Sequence, residues 1–226
     1  MNTKTLKKQI SSHGEFVMNK PTPLLPVFAI DRHRLTTDGK GVTTLIGGYG
    51  CPLACKYCLN PHAWNPATLE KCITYTPQAL YEKVKIDNLY FLATGGGITF
   101  GGGESLLHAE FIRSFRDVCG SDWNLTVETS LNVPKGNLLK VLDVVDDFIV
   151  DIKDLDPAVY ETYTGMPLDR VLSNMEILIK QKTPEHIHVR VPKIPAYNTE
   201  EHINSAVARL KQMGVTDIEV FPYVIR

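Results

Sequence analysis

From Val42 onward, short β-branched or apolar runs alternate with longer stretches whose apolar residues recur roughly at helical spacing. That alternation predicts repeated βα units and therefore a parallel sheet covered by helices. Six strands are expected, at residues 42–46, 97–100, 124–129, 148–153, 186–191 and 218–223, with helices at 76–90, 106–118, 134–144, 168–182 and 199–213. Local signals bound two of these helices. Thr76-Pro77 reads as an N-cap followed by proline at the first helical position, and Gly214 stands where a helix-ending glycine belongs. Six units are fewer than the eight that close a barrel. The expected fold class is therefore α/β, an open partial (β/α)6 barrel, with its chemistry at the C-terminal ends of the strands.

A chain of 226 residues can bury one substantial core, so residues 29–226 are expected to form a single domain. Residues 1–28, rich in lysine, serine and proline, fit none of the six units and read as an N-terminal extension. Lys and Arg number 24 against 25 Asp and Glu, so the bulk charge points to neither nucleic acid nor an anionic membrane as partner. The N-terminal segment lacks the apolar run of a signal peptide, and no stretch is long enough to span a bilayer, which makes a cytoplasmic protein the expectation.

Three of the five cysteines, Cys51, Cys55 and Cys58, fall within eight residues, a ligand pattern rather than a disulfide framework. Cys72 and Cys119 are isolated and read as small buried apolar residues. Thiolates bind iron-sulfur clusters and zinc alike. A four-iron cube held by three cysteines keeps one iron open to chelation by an amino and a carboxylate group. Zinc would take His62, four residues after Cys58, to complete a Cys3His tetrahedron. The loop follows the first expected strand and so lies at the mouth of the barrel. Gly101-Gly102-Gly103-Glu104 follows the second, where glycines let the backbone approach a ligand and Glu104 can accept from an ammonium.

The spacing of three and then two residues, with aromatic Tyr57 before the last cysteine, resembles the radical S-adenosylmethionine (SAM) superfamily and favours the cluster over zinc. Thr37-Asp38-Gly39-Lys40-Gly41-Val42, Cys58-Leu59-Asn60-Pro61, Gly96-Gly97-Ile98-Thr99 and Asp151-Ile152-Lys153 extend the likeness to residues 35–223. Together they resemble the pyruvate formate-lyase activating enzyme group, the activases of glycyl radical enzymes. The resemblance implies one [4Fe-4S] cluster on Cys51, Cys55 and Cys58. It places Tyr57, Gly102, Gly103 and Glu104 at SAM, with the last three on its amino group. Lys153 would neutralise the SAM carboxylate or a nearby acid. Glu128, Thr129 and Asp151 fall where the group places SAM contacts and a monovalent cation, and Arg190 matches an arginine near substrate and SAM. The implied reaction is reductive cleavage of SAM to methionine and a 5'-deoxyadenosyl radical, which takes a hydrogen atom from a glycine of a partner enzyme. A flavodoxin or ferredoxin would supply the electron, and no second cysteine cluster suggests an auxiliary centre.

Two departures from the group's pattern bear on the last step. Phe221-Pro222-Tyr223 is followed by Val224 where a histidine is usual, and Glu128-Thr129-Ser130-Leu131 replaces Asp-Thr-Asn-Gly, which weakens the cation expectation. Some residues also have plainer readings. Asp151 and Lys153 share one side of a strand and can form a simple salt bridge. Asp146-Asp147 reads as a solvated loop or strand entry, and His186 and His188 are as compatible with exposure as with function. Three functions compete: an activase with an open groove for a peptide loop, a radical SAM enzyme with a closed pocket for a small metabolite or peptide, and a non-catalytic Cys3His zinc module.

Overall fold

The computed structural model describes residues 21–35 and 37–225. One eight-stranded sheet carries the fold. Its strands are β1 (Leu25–Leu35), β2 (Val42–Gly48), β3 (Ile73–Tyr75), β4 (Gly97–Gly102), β5 (Asn124–Thr129), β6 (Asp147–Asp151), β7 (Ile187–Lys193) and β8 (Asp217–Pro222), in the order β3-β1-β2-β4-β5-β6-β7-β8. The six from β2 to β8, leaving out β3, are parallel neighbours, each within a few residues of its expected bounds. The two ends of the sheet do not pair, so the barrel is open, as the count of βα units predicts.

Strands β1 and β3 were not expected. β1 runs antiparallel to both β2 and β3 and begins at Leu25, so the boundary drawn at residue 29 falls inside it. Leu25 and Val27 are buried core residues. The expected extension is thus part of the sheet from Leu25 onward, while residues 1–20 lie outside the described residues.

The helices are α1 (Pro66–Leu69), α2 (Pro77–Val84), α3 (Asn88–Thr94), α4 (Ala109–Cys119), α5 (Lys135–Leu139), α6 (Pro157–Thr164), α7 (Asp169–Gln181) and α8 (Glu200–Gln212). Both helix signals read from sequence are present: Ala79 N donates to Thr76 Oγ1 at 3.1 Å, and Gly214, at φ +102°, follows the Met213 that caps the end of α8. Thr199 in addition caps the start of α8 in a capping box with His202. On the sheet's outer face Phe111 and Phe115 of α4 meet Phe100 of β4 edge to face, with ring centroids 6.3 and 5.5 Å away. Each such buried ring contributes about 1.5–3 kcal/mol of transfer free energy. Among the described residues no helix is long and apolar enough to cross a membrane.

The helix expected at 76–90 is broken. Between α2 and α3 the chain makes a 3-10 turn ending at Asp87, whose backbone (φ −89°, ψ 0°) leaves the helical well. A tertiary contact explains the break. The buried Asp87 carboxylate accepts from both arms of Arg32, at 2.8 Å from Nε, from Thr44 Oγ1 at 2.9 Å, and pairs with His33 Nε2 at 3.0 Å. It ties β1 and β2 to the turn, and Arg32 beside it holds its pKa below the usual carboxylate range. An acid with a depressed folded pKa contributes stability above its unfolded value, and that contribution is lost as pH falls through the folded one. Asp87→Asn is therefore expected to cost about 1–2 kcal/mol at pH 7, after discounting the half-exposed partners. In denaturant titrations the difference from the parent protein should shrink below about pH 4.

Candidate active site

The cysteine loop leaves the end of β2 and is held from both sides by backbone bonds. Gly103 N donates to Gly48 O at 3.1 Å and Glu104 N to Gly50 O at 2.8 Å, so the segment after β4 fastens the start of the loop. On the far side Ala54 N donates to Thr164 O at 2.9 Å and Lys56 N to Tyr163 O at 3.1 Å, at the C-terminal end of α6. Tyr223 Oη donates to the carbonyl of Tyr57, and the Tyr57 ring meets Tyr163 and Tyr197 edge-on. Gly103 leaves no room for a side chain, because a Cβ there would lie 2.2 Å from Gly50 O. Gly102 has φ +85°, the region open to glycine.

Cys51, Cys55 and Cys58 open onto a cavity of about 520 Å³ whose walls include Gly102, Gly103, Glu104, Glu128, Thr129, Asp151, Lys153 and Arg190. Every expected site residue except Tyr57 lines this cavity. Tyr57 instead lies in the aromatic packing behind the loop. Phe28, Asp31, Arg34 and Asp38 also line it and escaped the sequence reading. For Asp38 a signal was present in the Thr37–Val42 stretch. It is buried, and Arg34 Nε donates to its carboxylate.

The charges across the cavity form one chain. Lys153 Nζ donates to Asp151 Oδ2 at 3.2 Å, and Arg190 Nε to Asp151 Oδ1 at 2.8 Å. Arg190 Nη2 lies 3.1 Å from Glu128 Oε1. Burial works against the charged Asp151, but Lys153 and Arg190 outweigh it and hold its pKa below the ordinary value. Burial likewise opposes the Lys153 ammonium, and Asp151 more than restores it. Glu128 goes the other way. Burial pushes its pKa up to about 7, because Arg190 is shared with the nearer Asp151, whose negative charge also repels. The carboxylates expected to share a monovalent cation are thus already bridged by a guanidinium.

The donor set can be tested against the two metal readings. Burial pushes the Cys51 thiol up to about 12 and raises Cys55 as well, so iron or another cation is needed to hold these groups as thiolates. His62 is exposed on the 3-10 turn Pro61–Ala63. It is not among the residues that line the cavity onto which the three cysteines open. Three cysteines facing one cavity suit the three protein ligands of an iron-sulfur group with one open coordination position.

Other readings need correction. Asp147 stands at a strand entry, one of the two readings given for it, but it is not solvated. It is buried at the entry to β6, accepting from Lys40 at 2.9 Å and Asn124 at 2.8 Å and pairing with His186 at 2.8 Å. His188 pairs with Asp217 and Glu219 of β8. Both histidines line a second cavity of about 590 Å³ that meets the first at Arg190. Cys72 and Cys119 are half-buried rather than core residues.

A family model described as the radical SAM superfamily matches residues 45–218. The pyruvate formate-lyase-activating enzyme of Clostridium pasteurianum is 30% identical, the match covering 82% of this chain and 77% of that protein. The (2S)-3-sulfopropanediol dehydratase activating enzyme of Klebsiella oxytoca is 28% identical, over 81% of this chain and 75% of that one. A crystal structure of a domain of pyruvate-formate lyase-activating enzyme from Bacteroides vulgatus aligns with a TM-score of 0.51 at 29% identity, covering 57% of this chain and 81% of that one.

Glu128 supplies a pH test. Its folded pKa lies above the unfolded value of roughly 4.3, so the folded state holds the extra proton and stability falls as pH rises from about 4 through 7. Glu128→Gln keeps an acceptor for Arg190 and removes the titration. Unfolding free energies measured from pH 5 to 8 should drift in favour of the glutamine variant by roughly 1–3 kcal/mol.

Proposed function

Since the chain belongs to the radical SAM superfamily, among the activating enzymes of glycyl radical enzymes, we propose that it cleaves SAM to install a glycyl radical on a partner enzyme. In this reading Cys51, Cys55 and Cys58 hold one [4Fe-4S] cluster. When bound, the cluster supplies the low-potential electron for reductive cleavage of the SAM carbon-sulfur bond. The observation that carries the reading is the single cavity in which the three thiols face Glu104, Asp151, Lys153 and Arg190.

The chain's own groups have distinct work. Glu104 accepts hydrogen bonds from the SAM ammonium beside Gly102 and Gly103, with Thr129 on the same wall. Lys153 and Arg190 offset the SAM carboxylate in a setting where burial strengthens the attraction. The aromatic packing of Tyr57, Tyr163 and Tyr197 keeps the loop in place. A monovalent cation has no role in this account, because Arg190 already supplies positive charge between Glu128 and Asp151.

A protein substrate is favoured over a small metabolite by the second cavity. It runs from Arg190 along Asp217, Glu219 and Phe221 of β8, the unpaired edge of the sheet. A substrate segment can approach the SAM site along that open side. The electron would come from a flavodoxin or ferredoxin, and the protein would work in the cytoplasm.

The test is anaerobic incubation of the reduced, reconstituted protein and SAM with a glycyl radical enzyme of the same genome, labelled with α-deuterated glycine. The expected result is a glycyl radical signal in electron paramagnetic resonance, with deuterium in the released 5'-deoxyadenosine. SAM cleavage without radical or label transfer, against every such enzyme the genome encodes, would overturn the activase assignment in favour of a small substrate.

A further inference from the structure

Glu104 is 2% exposed, and among the described residues no lysine or arginine forms an ion pair with it. Its charge is met by neutral donors. Leu106 N (3.1 Å) and Thr129 Oγ1 (2.6 Å) donate to Oε1, while Ser130 N (2.8 Å) and Ser130 Oγ (2.6 Å) donate to Oε2. The hydroxyls are themselves oriented. Leu131 N donates to Thr129 Oγ1 at 2.9 Å and Asn132 N to Ser130 Oγ at 3.3 Å, which turns both hydroxyl protons toward the carboxylate.

The turn that presents these donors is held under strain. Leu131 has φ +59°, a region that a leucine rarely enters, at the position where the activase pattern has glycine. Its surroundings fix it there. Asn174 Nδ2, buried on α7, donates to Leu131 O at 2.8 Å and Val133 O at 2.9 Å, and Asn132 Nδ2 donates to Tyr160 Oη at 3.0 Å. Burial pushes the Glu104 carboxyl above its ordinary pKa, and the Ser130 and Thr129 donors offset that shift only in part.

We infer that Ser130 is a positioning residue for the SAM ammonium, acting through Glu104. Neutral donors stabilise the carboxylate without cancelling its charge, as an arginine or lysine would. No neighbouring cation competes with an incoming ammonium for the carboxylate, and Oε2 is aimed by two bonds from one residue. Four donors already fill the lone-pair sites of Glu104, so an approaching ammonium takes the place of the Thr129 hydroxyl on Oε1 while the two Ser130 bonds keep the carboxylate in register.

This inference rests on the reading of Glu104 as the ammonium acceptor, and its test separates the two. SAM affinity is measured by equilibrium dialysis on the anaerobically reconstituted protein and on Ser130→Ala, Ser130→Thr, Glu104→Gln and the Ser130→Ala, Glu104→Gln double variant. Thermal midpoints check that each is folded. Glu104→Gln should weaken binding by more than about tenfold, and Ser130→Ala by about five- to tenfold, values in keeping with loss of a hydrogen bond to a charged group. Ser130→Thr should recover most of the loss. In the glutamine background Ser130→Ala should cost less than about twofold. An equal loss in both backgrounds would make Ser130 merely structural and overturn the inference. So would undiminished affinity in Ser130→Ala while Glu104→Gln binds poorly. If Glu104→Gln itself binds normally, the reading of Glu104 fails and the inference with it.

Discussion

The site depends on the way the backbone of the cysteine loop is pinned between two strand-end segments. Gly103 and Glu104 bond the carbonyls of Gly48 and Gly50, and the far half of the loop bonds the end of α6. Thiols on an unpinned loop would have to be ordered by the metal alone, at an entropic cost of roughly 1–2 kcal/mol per residue. Here the fold meets that cost beforehand. The same contacts also place the loop opposite Glu104, so metal site and SAM site are assembled by one set of bonds rather than two.

Electrostatics divides the cavity into two regions. Along one wall Lys153 and Arg190 pair with Asp151, and Arg190 reaches Glu128 as well, whose charge burial weakens. Glu104, by contrast, is met by neutral donors, and among the described residues no lysine or arginine pairs with it. A zwitterionic ligand would meet cations for its carboxylate at one end and the Glu104 carboxylate for its ammonium at the other. That polarity is a property of the chain before any ligand is added.

Much of this was legible in the sequence because it is local. The six parallel strands follow from β-branched runs, and the cysteines and Gly101–Glu104 stretch are contiguous motifs at strand ends. Strand β1 was missed because Pro26 and the polar Arg32-His33-Arg34 hide its alternation, and it becomes a strand only through antiparallel pairing with β2. β3, with three residues, is too short to show a period. Helix α6 could have been found, since Asp156-Pro157 and Gly165 mark its start and end. The broken helix at Asp87 and the role of Ser130 could not, because each rests on a contact between residues distant in sequence, 43 positions for Thr44 with Asp87 and 26 for Glu104 with Ser130.

The most direct measurement of the central claim is SAM cleavage by the anaerobically reconstituted, dithionite-reduced protein, with Cys55→Ala as control. The account predicts a four-iron cluster and formation of 5'-deoxyadenosine and methionine by the native protein only. Stoichiometric zinc, failure to take up iron and sulfide, and intact SAM would contradict it.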